Sequence, residues 1–167
     1  GFPSQAVQDS IRWKAGVLWN DPGQMRVFLS SALDRWVKYS ARMTVIENTG
    51  RDPKATRWAL VPRGKTCAWC TMLASRDWAY TSEDTAKASM HPHCDCQPVP
   101  LWDARREIVS GYDPEAMLAR VQAAERKLDE GIDGGWAGSG CRENRVAEVM
   151  RRLDPDEYTD GVHDADW

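Results

Sequence analysis

The sequence has no apolar run approaching the ~20 residues that a membrane-crossing helix needs, which excludes a helical membrane span. No secretory signal is visible, since no basic segment is followed by an apolar stretch and a small-residue cleavage site. Positive charge is not in excess either. Lys and Arg number 22 against 25 Asp and Glu, giving a net charge of -3 and a pI of about 5.6. That balance argues against a protein whose main task is coating nucleic acid. Internal repeats and low-complexity runs are absent, which sets aside solenoids and repeat arrays. The five cysteines are an odd number, a poor fit to a fully paired disulfide scaffold. What is present is globular: 42% hydrophobic and 28% charged residues in 167, enough for one ordinary domain with a modest core.

Tryptophan is abundant, with nine copies. Its large amphipathic ring serves either to fill a small core or to face a partner.

Apolar spacing divides the chain into four regions and predicts an α+β, mostly helical fold. Residues 1–50 read as a helical hairpin. Its first helix runs from about Ser4, a candidate N-cap, to Asn20, with Val7, Ile11, Trp13, Leu18 and Trp19 at rough helical spacing. Asn20-Asp21-Pro22-Gly23 is a turn signal. The second helix runs from Gln24 to about Asn48, with Met25, Phe28, Leu29, Leu33, Trp36, Val37, Met43 and Ile46 inward. Residues 51–103 read as a small β unit closed by a metal. Its predicted strands are Arg57–Val61, Trp78–Thr81 and Gln97–Trp102, the last confined to an edge by Pro98 and Pro100. Residues 104–153 hold two C-terminal helices. The first opens at Asp113-Pro114-Glu115, with Met117, Leu118, Val121 and Leu128 inward. A glycine-rich connection then leads to a helix from about Arg142 to Leu153. Residues 154–167 carry six acids and no Lys or Arg, and read as a solvated arm or docking segment.

Four of the five cysteines fall between Thr66 and Pro100. Cys67-x-x-Cys70 is half of a tetrahedral zinc site, because such a turn lets two thiolates converge on one ion. Cys94-x-Cys96 can supply the other half, since residues two apart in an extended segment point the same way. His91 and His93 lie beside that pair, and His91 is the alternate ligand. The preferred set is Cys67, Cys70, Cys94 and Cys96 around a structural Zn2+. Four protein ligands leave no open position, so no activated water and no catalysis are expected. Disulfides and buried thiols are the alternatives. A nucleobase deaminase is excluded, because the His-x-Glu element is missing and the second cysteine pair is one residue too short. Thiol oxidoreductase chemistry has a local basis, with Thr66 placed to cap a helix at the Cys67 turn, but no βαβ pattern surrounds it.

From Arg51 to Arg76 there are six Lys or Arg residues and, before Asp77, one acid, Asp52. Arg57, Arg63 and Lys65 are therefore candidate nucleic-acid contacts, with Trp58 and Trp69 placed to stack on bases. This is the basis of a rival reading, a zinc-ribbon nucleic-acid-binding module. A solvated or protein-docking face is the plainer explanation of the same charges.

The segments ARMTVIENTG (41–50), RWALVPRGKTCAWCTMLASR (57–76), HPHCDCQPVPLWD (91–103) and GYDPEAMLARVQAA (111–124) together resemble the phage minor head proteins of the Mu type. The likeness is to the MuF-like minor capsid proteins, in the variant found in phages of actinobacteria. In most relatives a glycine follows the Ser-Arg step; here it is Asp77, which also tolerates a turn. The resemblance implies a structural virion protein, present in few copies in the phage head and assembled in the bacterial host cytoplasm. Its implied partners are the portal and/or the major capsid protein, with a possible DNA contact and no membrane. The implied role is support of head assembly or of genome packaging and delivery, without enzymatic activity. Cys67, Cys70, His91, Cys94 and Cys96 match the family's motif positions.

Overall fold

The computed structural model describes residues 3–55, 57–82, 84–85, 95–102, 109–131 and 140–162. The glycine-rich connection at 132–139, the tail beyond 162, and His91, His93 and Cys94 lie outside the described residues. The architecture is mostly helical α+β, as the spacing predicts.

Helix α1 (Ser4–Leu18) and helix α2 (Pro22–Thr49) are joined by a short turn. Ser4 is not the cap: Pro3 holds that position, and no side chain caps α1. The Asn20–Gly23 signal marks both the short turn, which holds Asn20, and the start of α2. Asp21 Oδ1 accepts the Gln24 amide at 2.9 Å, and Pro22 takes the first helical position, where its missing N–H leaves no gap. The ammonium of Lys14 stands 5.6 Å from the centre of the Phe28 ring. Both residues are seven positions from Asp21, so α1 runs back antiparallel along α2.

No residue of α1 is buried. On α2 the buried side chains are Ala32, Trp36, Arg42, Met43, Ile46 and Thr49. Leu29, Leu33 and Val37, expected inward, are exposed. The hairpin thus anchors in the body through the second half of α2, and its other end projects with apolar residues uncovered.

Strands β1 (Arg57–Val61) and β2 (Gln97–Leu101) pair antiparallel, with Trp58 opposite Pro100 and Leu60 opposite Pro98. Trp58 spends its N–H and C=O on Tyr80, at 2.8 and 3.3 Å, on the side away from β2. Trp58 and Pro100 are therefore a non-hydrogen-bonded pair, and two-residue periodicity makes Leu60 and Pro98 another. Neither proline removes a bond from this ladder, and both deny an N–H to the outer edge of β2, which blocks further strand addition. The predicted strand Trp78–Thr81 is reduced to a single bridge between Tyr80 and Trp58. Alternation sends Trp58 and Leu60 into one apolar cluster and Ala59 and Val61 into another, so β1 is covered on both faces.

Helix α3 (Ala68–Ala74) is the hub. Cys70 and Leu73 face the cluster that holds Ile46, Trp58, Leu60, Tyr80 and Cys96. Ala68 and Met72 face a second cluster built with α4 (Pro114–Asp129) and α5 (Arg142–Leu153). A seven-residue helix leaves most of its carbonyls without internal partners. Two tyrosines meet this need: Tyr80 donates its hydroxyl to Leu73 O at 3.0 Å, and Tyr112 donates to Ala74 O at 2.6 Å. Asp77 closes the turn with φ +54°, the left-handed conformation that a glycine would adopt without strain.

Asp113 caps α4 by accepting the Ala116 amide at 2.9 Å. Val121, Ala124 and Leu128 are buried, whereas Leu118, expected inward, is 41% exposed. The acidic tail is not a solvated arm as far as residue 162. A short 3-10 turn, Pro155–Glu157, reverses the chain, and Tyr158 enters the core between α3, α4 and α5.

Candidate functional site

The cysteine turn begins where β1 has ended and the chain enters α3. Cys67, in an extended conformation with φ -77° and ψ 161°, is the cap of α3, and its Sγ accepts the Cys70 amide at 3.3 Å. Thr66, the expected cap, instead joins a parallel bridge with Tyr158. Thr71 Oγ1 donates to Cys67 O at 3.2 Å and tightens the same turn.

Cys70 and Cys96 are buried in one cluster, and Cys67 packs half-buried against it. Sulfurs widely separated in sequence are therefore brought into one neighbourhood. No disulfide joins two of the described cysteines. Among the described residues, no three His, Cys, Asp or Glu side chains form a metal-holding group. The donor types fit zinc, but a complete set has to draw on Cys94 or His91, outside the described residues. Cys141, the remaining cysteine, is exposed at the start of α5, away from this cluster.

The segment beside Cys96 is tied to α2. Lys38 Nζ lies 2.7 Å from Asp95 and 2.9 Å from Asp34. Hydrogen bonds to Asp95 and then Asp34 hold the Lys38 ammonium above its ordinary range. The pair is largely solvated, so its contribution to stability is small.

The basic residues do not form one patch with stacking aromatics. Arg57, Arg63 and Lys65 are exposed, but β1 separates the first from the others by roughly 15 Å of strand. Lys65 lines a cleft of about 350 Å³ with Arg120, Asp156 and Glu157, where acids offset its charge. Trp58, expected to stack on bases, is buried, and Trp69 packs partly buried between two core clusters. The oxidoreductase reading finds its helix after the cysteine turn but not its sheet, which among the described residues has two antiparallel strands.

Sequence reasoning missed Asp160. Its Oδ1 accepts the amide of Ala68 at 3.0 Å, across 92 positions of sequence, and its Oδ2 accepts from Arg151 Nε at 2.7 Å. The only local signal was Tyr158 followed by Asp160-Gly161, an aromatic and a turn inside an acidic run.

A mostly helical α+β body with a cysteine turn at its hub is here a phage protein. Residues 1–124 match the model of the VG15 protein family, and the chain belongs to that family. It is also similar to the Gene 15 protein of Mycobacterium phage L5, 25% identical over an alignment that covers 74% of this chain. The chain spans 56% of that relative's length. No solved structure matches it. Among the described residues, no helix is long and apolar enough to cross a membrane.

Proposed function

We propose that this chain is a structural minor capsid protein of a tailed phage, of the MuF-like kind. It sits in the virion head near the portal, docks onto the portal or major capsid protein, and performs no catalysis. The observation that carries this reading is the projecting hairpin. Helix α1 gives nothing to the chain's own core, while Trp13 is 64% and Trp19 81% exposed. Val17, Val27, Leu33 and Val37 are exposed on the same two helices. Large apolar side chains held on ordered helices and left uncovered are the material of protein interfaces. Membership of a phage family and the MuF-like motif segments support placing that interface in the head.

In this reading Zn2+ is held by Cys67, Cys70, Cys94 and Cys96, with His91 as the alternate ligand. The ion would supply closure of the β unit, a structural service only. Contact with DNA through Arg57, Arg63 and Lys65 is secondary, because these side chains are dispersed and Trp58 is not available to stack.

The test is incorporation. Tagged wild-type protein supplied in trans should be recovered in purified phage heads, and the double variant Trp13→Glu, Trp19→Glu should be excluded while keeping the wild-type circular dichroism spectrum. Equal incorporation of both proteins would remove the hairpin as the docking element, and absence of the wild-type chain from heads would remove the virion role.

A further inference from the structure

We infer that Asp160 is the positioning residue of the Cys67 turn, and that Tyr158–Val162 forms a C-terminal strap latched over that turn. Residues on both sides of Cys67 are held by the strap. On one side, Thr66 makes a parallel bridge with Tyr158, and the Thr159 amide donates to Thr66 O at 3.0 Å. On the other, the Ala68 amide donates to Asp160 Oδ1 at 3.0 Å. Cys67 is thereby clamped in its extended conformation while its sulfur takes up the Cys70 amide. The first amides of a helix have no internal partners. Here two side chains divide the task, the Cys67 sulfur for Cys70 and the Asp160 carboxylate for Ala68.

The strap is itself fastened. Arg151 donates to Asp160 at 2.7 Å and to Glu148 at 3.2 Å, and its carbonyl accepts the Val162 amide at 3.1 Å. Tyr158, 2% exposed, anchors the base of the strap in the core that includes Ala68 and Met72. All of the strap lies beyond the 1–124 segment that carries the family match, so this end of the chain completes the geometry of a turn inside that segment. The strap holds both sides of the turn through its own hydrogen bonds, whether or not the sulfurs take a metal. A strap that opens lets the turn relax and exposes the half-buried Cys67, whereas Cys70 and Cys96 stay in the core.

Alkylation tests this on reduced, chelator-treated protein carrying Cys141→Ser, since Cys141 is exposed and would react first. The rate of iodoacetamide modification is read at each cysteine by peptide mass spectrometry. Asp160→Ala should speed modification of Cys67 by about tenfold or more, the scale of one lost charge-assisted hydrogen bond. Asp160→Asn keeps an oxygen for the Ala68 amide and should restore most of the slow rate. Arg151→Gln, which loosens the strap without touching that oxygen, should fall between. Cys70 and Cys96 should stay slow throughout. Equal Cys67 rates in wild type and Asp160→Ala would overturn the inference. So would Asp160→Asn reacting as fast as Asp160→Ala, or all three cysteines accelerating together, which would mean general loosening instead of an opened latch.

Discussion

Gly161 packs directly on Pro155, so closely that a Cβ built at 161 would overlap the Pro155 carbonyl oxygen and stand 2.7 Å from its Cα. The chain turns back on itself there to bring Tyr158 into the core and Asp160 onto the Ala68 amide. The obstacle is backbone, which cannot swing aside as a side chain can.

Gly161→Ala should therefore destabilise the protein by about 2–4 kcal/mol, the range for overpacking combined with the loss of hydrogen bonds around it. Urea unfolding checks this, with the midpoint falling while the slope is retained. An unchanged midpoint would mean that the tail is not held against Pro155.

Tyr158 is buried, and its hydroxyl has no hydrogen-bond partner among the described residues. Burial pushes this hydroxyl up to about 12, against the opposing pull of the Arg120 charge and with smaller support from Asp154, Glu157 and Asp160. The sign follows from which state keeps the proton. Between pH 10 and about 12 the unfolded chain has lost it and the folded chain has not, so stability is full below pH 10 and falls as pH rises. The loss should be on the order of 2 kcal/mol by pH 12. Tyr158→Phe should remove the unpartnered hydroxyl, raise stability at neutral pH by about 1 kcal/mol, and flatten the alkaline limb. Unfolding midpoints from pH 8 to 12 test both parts, and parallel curves for the two proteins would refute the assignment.

The legible parts of the fold were those with local chemistry. Asp113-Pro114 put the start of α4 in place, because capping acid and proline act within a few residues of each other. Arg57–Val61 was legible as a short run of large side chains. Helix α3 was legible only as a helix start at the Cys67 turn with Thr66 as its expected cap, because seven residues give too little periodicity and its actual cap is a cysteine thiol. The inward face of α2 was over-read at Leu29, Leu33 and Val37, since spacing reports an apolar face and not whether anything covers it. At the candidate site, spacing paired Cys67 with Cys70 and set Cys96 near them, and the fold brings those three into one cluster. The hydrogen bond between Asp160 and Ala68 was beyond reach, because a contact across 92 positions leaves no trace in local pattern.

The tryptophans should divide by burial. Trp58 lies in the cluster around Cys70 and Cys96, and Trp58→Ala should cost about 3–5 kcal/mol through lost burial and the cavity left behind. Trp13→Ser with Trp19→Ser should move stability by no more than about 0.5 kcal/mol, because neither ring is covered. Thermal unfolding of the two variants decides between a hairpin kept for docking and one that the chain needs for its own stability.

Metal content gives the last prediction. Anaerobically purified, reduced protein should carry one zinc per chain, and Cys70→Ser or Cys96→Ser should lower that occupancy and the unfolding midpoint together. Removing a ligand from a closed structural site sacrifices binding energy that is also folding energy. Both residues are core members as well, so a fall in stability alone would not identify the metal. Chelation separates the two roles. If zinc closes the unit, a strong chelator should lower the wild-type midpoint while leaving that of Cys96→Ser nearly unmoved. If the thiols serve only as small core side chains, the chelator should leave both midpoints where they were, and elemental analysis should find no stoichiometric zinc in folded protein.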